Sequence, residues 1–124
     1  MDRTSPILCE NYFEELSKTN LDSLNQLIIK GMSNGHLTIA LPYLAVGAKV
    51  FYLQTIALHL YHDSPVVREG AIIALWEYGK HYKNWVKFYY DEVVKYDDNE
   101  TLRQMAKEYC EELVNNYDIW FDEK

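Results

Sequence analysis

The sequence predicts an all-α protein folded as a single domain over residues 1–124. Three observations carry that expectation. Apolar residues recur at spacings of three and four along the chain, and no run of five alternates in strand fashion between turn signals. Capping and helix-stopping residues (Gly31 to Gly35, Gly47, Asp63-Ser64-Pro65, Gly79, Asp97-Asp98-Asn99) cut the chain into segments of helix length. One short segment also recurs at an offset of 35 residues. With 48% hydrophobic and 25% charged residues the chain is globular rather than disordered.

Each element has a local reason. Ser5-Pro6 caps the first helix and presets its first turn. That helix turns Ile7, Leu8, Tyr12, Phe13 and Leu16 inward and should stop near Lys18. Asn20 caps the second, which buries Leu24, Leu27 and Ile28 and ends in the segment from Gly31 to Gly35. The third spans 36–46, with Pro42 inside it as a kink or a late start, and Gly47 closes it. Residues 50–61 bury Leu53, Ile56, Ala57 and Leu60. Asp63-Ser64-Pro65 is the turn and cap that launches 65–79, whose inner face is Val67, Ala71, Ala74, Leu75 and Tyr78. Residues 84–96 bury Val86, Tyr89 or Tyr90, Val93 and Val94. The last helix, 100–116, buries Leu102, Met105, Ala106, Tyr109 and Leu113, with Trp120 and Phe121 folding back over the final pair.

The recurring segment is Asp63-Ser-Pro-Val-Val-Arg68-Glu-Gly-Ala71, which aligns with Asp98-Asn-Glu-Thr-Leu-Arg103-Gln-Met-Ala106. Asp, an apolar residue (Val67, Leu102), Arg and Ala fall in register. This resembles the HEAT repeat, whose second helix opens Pro-x-Val-Arg-x-x-Ala-x-x-Ala-Leu after a turn carrying Asp. Residues 63–75 match that pattern almost throughout. The second copy departs from it at Glu100, Tyr109 and Cys110, and a third copy near residues 33–37 aligns by apolar spacing alone. The resemblance covers residues 20–117. It implies a short right-handed α-α superhelix of about three HEAT-like helix pairs plus an N-terminal helix. It also implies a ladder in which Asp and Arg of successive repeats bond each other.

The formal charge is −7, and it is uneven. Residues 91–123 hold eleven acids against Lys95, Arg103 and Lys107, while residues 1–90 are balanced. A neutral body with an acidic last third repels phosphate backbones and attracts basic surfaces. The strip from Trp76 to Tyr90 interleaves aromatics with Lys80, His81, Lys83 and Lys87, a composition used to stack bases. The adjoining acids oppose that use, so no nucleic-acid partner is expected. No secretory or myristoylation signal opens the chain, and Pro42, Gly47 and Lys49 interrupt its most apolar stretch, 37–61. Together with two widely spaced cysteines, Cys9 and Cys110, read as reduced thiols, this predicts a cytoplasmic protein without a membrane partner.

The chain carries no recognisable catalytic motif. It has no phosphate loop, no Gly-x-Ser-x-Gly and no His-Glu-x-x-His. His59-x-x-His62-Asp63 has ligand spacing without a fourth ligand. Glu111 and Glu112 are neighbours about 100° apart on a helix and do not converge as a catalytic dyad. Neither enzymatic activity nor a cofactor or metal is therefore expected.

What remains is a binding surface. In HEAT-like stacks the second helices line one side. The positions left over there are Tyr43, Glu69, Ile73 and Trp76, continued by Gln104, Glu108, Glu111 and Glu112. That stripe runs from aromatic to acidic, the composition of a partner face. The expected function is a non-catalytic protein-binding module, similar to acidic immunity proteins that capture a basic nuclease toxin, present as a monomer or weak dimer. A scaffold or adaptor, and a HEAT-like DNA glycosylase, are the alternatives.

Overall fold

The computed structural model describes residues 6–121, with side chains from 10 to 115. Among the described residues it is all-α and contains no strand. Seven α-helices follow one another: α1 (Pro6–Thr19), α2 (Leu21–Lys30), α3 (Asn34–Leu44), α4 (Leu53–Leu58), α5 (Pro65–Leu75), α6 (Lys83–Tyr96) and α7 (Glu100–Phe121). Helix α2 packs on α3, α4 on α5, and α6 on α7. Helix α5 also touches both α3 and α7, and α1 lies against α2 and α3. The core runs without a break from Phe13 and Leu24 through Leu41, Ile56, Val67 and Leu75 to Val86, Tyr90 and Leu113. All five inward positions expected on 65–79 are buried, as are the four on 50–61.

Caps explain several of the boundaries. The Asn20 side chain accepts from the Ser23 N–H at 3.1 Å and starts α2. Gly31, at φ +110°, ends it in a conformation that a side chain would strain. Ser33 starts α3 at Asn34, two residues before the expected 36, by accepting the His36 N–H at 3.4 Å. Pro42 is therefore an interior residue of α3 and does not mark a late start.

The expected 50–61 helix is a short α4 between 3-10 turns at Val50–Tyr52 and His59–Tyr61, and the expected 65–79 helix gives way to a 3-10 turn at Trp76–Tyr78. In these tighter turns the N–H bonds to the third residue back and leaves the usual fourth-back carbonyl open. The His59 N–H goes to Ile56, and the Thr55 carbonyl meets the His59 ring Nδ1 instead, at 2.7 Å. The Trp76 N–H goes to Ile73, and the Ile72 carbonyl takes the Tyr90 hydroxyl at 3.0 Å. Both replacements keep the backbone account closed.

Two further expectations are corrected. Tyr12 points to solvent, and among the described side chains of that helix Phe13 and Leu16 reach the core. Helix α7 continues to Phe121 rather than stopping near 116, since no Gly or Pro interrupts it. The Ser5 cap and the inward packing of Ile7, Leu8, Trp120 and Phe121 lie outside the described residues and side chains.

Gly70 sets a close approach of α5 to α3. A Cβ there would stand 2.8 Å from the Thr38 Cα and 2.9 Å from its carbonyl oxygen. Pro42 lacks the N–H that would normally bond the Thr38 carbonyl, four residues back. Helix α5 thus meets α3 where the α3 backbone is locally relieved of its own bond.

Candidate functional site

The turns before α5 and α7 are joined by one arginine. Arg68, on the first turn of α5, has a side chain only 11% exposed. Its Nε and Nη2 donate to the two carboxylate oxygens of Asp97 at 3.0 and 3.2 Å, a paired fork. Nη2 also donates to Asp98 at 3.0 Å, and Nη1 to the carbonyls of His62 and Asp63 at 2.7 and 3.1 Å. The inner partner is thus Asp97 and not Asp98, which the sequence alignment favoured. Asp97 is almost fully buried, whereas Asp98 is 90% exposed. Aligning His62 with Asp97 at the same offset would have found it, because the two side chains do the same job. The His62 Nδ1 accepts the Ser64 N–H at 3.0 Å, and the Asp97 Oδ1 accepts the Asn99 N–H at 2.8 Å. Ser64 itself makes no side-chain cap bond, contrary to the expected cap, whereas Asn99 caps α7 by accepting the Leu102 N–H at 3.0 Å.

The candidate face lies across α3, α5 and α7, with its acidic part in solvent. Glu69, Gln104, Glu108, Glu111 and Glu112 are exposed, and Gln104 donates to Glu108 at 2.9 Å. Ile73 is 38% exposed. The aromatic part is more enclosed. The Trp76 ring packs against Tyr109 at 5.6 Å, which in turn lies 5.9 Å from Tyr90. The Tyr43 hydroxyl donates to Glu10 on α1 at 2.8 Å, and that bond, followed by burial, pushes its pKa up to about 12. Tyr43 and Trp76 therefore join helices as well as border the face.

Other acids of the last third are held within the chain. Lys87 donates to Asp91 at 3.0 Å, which raises the lysine pKa. Burial, followed by the Asp91 charge, pushes the Cys110 thiol upward and away from thiolate character. His59 and His62 stack at 6.2 Å, with the Nδ1 of each engaged by backbone. No group of three or more His, Cys, Asp or Glu among the described residues converges to hold a metal ion. No helix among them is long and apolar enough to cross a membrane.

Two exposed surfaces escaped the sequence reading. Ile29, Phe51 and Leu58 border a cavity of about 400 Å3 between α2 and α4. The density of apolar residues over 37–61 concealed which of them the 3-10 turns would expose. The second is a cavity of about 220 Å3 between the end of α4 and the end of α6, flanked by Tyr61 and Tyr96. Those two tyrosines stand 35 residues apart, the same offset as Arg68 and Arg103. No family model matches the chain, and neither a curated protein nor a solved structure matches it significantly.

Proposed function

We propose that the chain is a non-catalytic protein-binding module whose acidic face captures a basic protein, as acidic immunity proteins capture basic nuclease toxins. One observation carries this reading. Glu108, Glu111 and Glu112 stand exposed along the body of α7, with Glu69 exposed on the adjacent α5. Carboxylates near a helix N-terminus gain from the helix dipole, but those in the body of α7 do not. Their concentration there serves the field outside the protein and speeds encounter with a basic partner. The HEAT-like frame is supported by the recurrence of one contact. The Nη1 of Arg68 reaches the His62 carbonyl and that of Arg103 the Asp97 carbonyl, both at 2.7 Å.

The test is capture from the native host at low salt, with the wild-type protein and with Glu108→Lys/Glu111→Lys on parallel supports. A basic protein should be retained by the wild type, elute with rising salt and be lost from the variant, while the helical circular dichroism stays unchanged. Equal retention by both would overturn the assignment of this face.

A further inference from the structure

The cavity between the ends of α4 and α6 shares no lining residue with the α3/α5/α7 face, and its chemistry is specific. Its flanks are Tyr61 and Tyr96, which are 63% and 74% exposed. Leu60 and Val93, both buried, form its apolar floor. Glu92 lies between the tyrosines in sequence and lines the same space. The Tyr61 pKa is raised by burial and then by the Glu92 charge. Three carboxylates, of Glu92, Asp97 and Asp98, line the cavity against the single guanidinium of Arg68. That guanidinium is already held by both aspartates and by two carbonyls, leaving the cavity with a negative balance.

Exposed aromatic rings beside an uncompensated carboxylate select a cation, and the planar faces of tyrosine favour guanidinium over a compact, strongly hydrated ammonium. A volume of about 220 Å3 admits a side chain and excludes a folded element. We propose that this cavity receives an arginine side chain of a partner polypeptide, the guanidinium lodging between Tyr61 and Tyr96 against Glu92. The site is independent of the α7 acids and stands whether or not those acids bind a partner.

The experiment is a titration of the isotope-labelled chain with N-acetyl-arginine-N-methylamide, following the ring resonances of Tyr61 and Tyr96. Both should shift saturably, and the uncharged norleucine analogue should leave them in place. Glu92→Gln and Tyr96→Ala should each weaken binding by about threefold or more, the fold-change of one exposed cation–π or charge contact. Glu108→Lys/Glu111→Lys should bind the probe as the wild type does, which separates this site from the acidic face. Norleucine shifts equal to those of arginine, a capped lysine binding as well as arginine, or full affinity in Glu92→Gln would each overturn the assignment. Melting temperatures of the variants verify that the cavity walls are intact.

Discussion

The turns at 62–71 and 97–106 share one backbone plan and differ in the side chains that close it. In both, the residue six before the arginine offers its carbonyl to Nη1 and its side chain to the N–H two residues on. Where the first turn has His62 and Gly70, the second has Asp97 and Met105. The acid at 97 answers Arg68 from the preceding turn, whereas the position 35 residues before Arg68 is Ser33. Gly70 brings α5 onto the α3 backbone, and α3 with α5 makes a far more extensive contact than α5 with α7. The lesson is that one turn can be reused while its interfaces are built differently. The α3/α5 interface is closed by backbone proximity, and the α5/α7 side by a buried ion pair.

The largest expected effect tests that division directly. Arg68→Ala leaves Asp97 buried and unpaired and should cost about 3–5 kcal/mol in urea unfolding, as removing one partner of a buried pair does. Arg103→Ala removes the single bond to the Asp97 carbonyl and should cost about 1 kcal/mol. Equal losses would mean that the two turns are energetically alike and the comparison fails.

Gly70→Ala should come next, at about 1–3 kcal/mol, because its new methyl meets Thr38 backbone rather than a movable side-chain end. Met105→Ala, at the matching position of α7, opens space instead of closing it. Its variant should respond to small apolar ligands or pressure, and the Gly70 variant should not.

Tyr90 carries a smaller effect with a pH signature. Tyr90→Phe removes the donor to the Ile72 carbonyl and should cost about 1 kcal/mol at neutral pH. Burial raises the Tyr90 and Tyr78 pKa values above the ordinary phenol value of 10.0. The folded chain holds these protons more tightly than the unfolded one. Their contribution is therefore complete below that value and declines as the pH rises through it. Thermal unfolding from pH 9 to 11 (about one unit either side) should show melting temperature falling in alkali, with a shallower fall in the phenylalanine variant. The smallest effect belongs to Asp98→Ala, at about 0–1 kcal/mol, since that partner of Arg68 is in solvent.

Helix positions and inner faces were legible because they depend on spacing. The buried sets of α4 and α5 follow from apolar periodicity alone, and Asn20, Gly31 and Asn99 act where their chemistry places them. The 3-10 turns were not legible, since their signal is which carbonyl finds a distant donor. For Ile72 that donor is Tyr90, 18 residues on. The Arg68 ion pair was legible to within one residue: Asp98 and Asp97 are the same type, and only burial separates them. Of the candidate face, the exposed acids of α7 could be read from charge. The engagement of Tyr43 by Glu10 could not, because it joins residues 33 apart.

The Arg68 fork also bears on the order in which the chain assembles. It joins residues 29 apart, and both of its turns must exist before the guanidinium can meet Asp97. A contact absent from the transition state governs how fast a native protein comes apart rather than how fast it forms. In stopped-flow experiments Arg68→Ala should leave the refolding rate nearly as it was and place its whole effect on unfolding. On that outcome the Arg68 fork is a latch on the finished molecule, setting its lifetime while other contacts set its speed of folding.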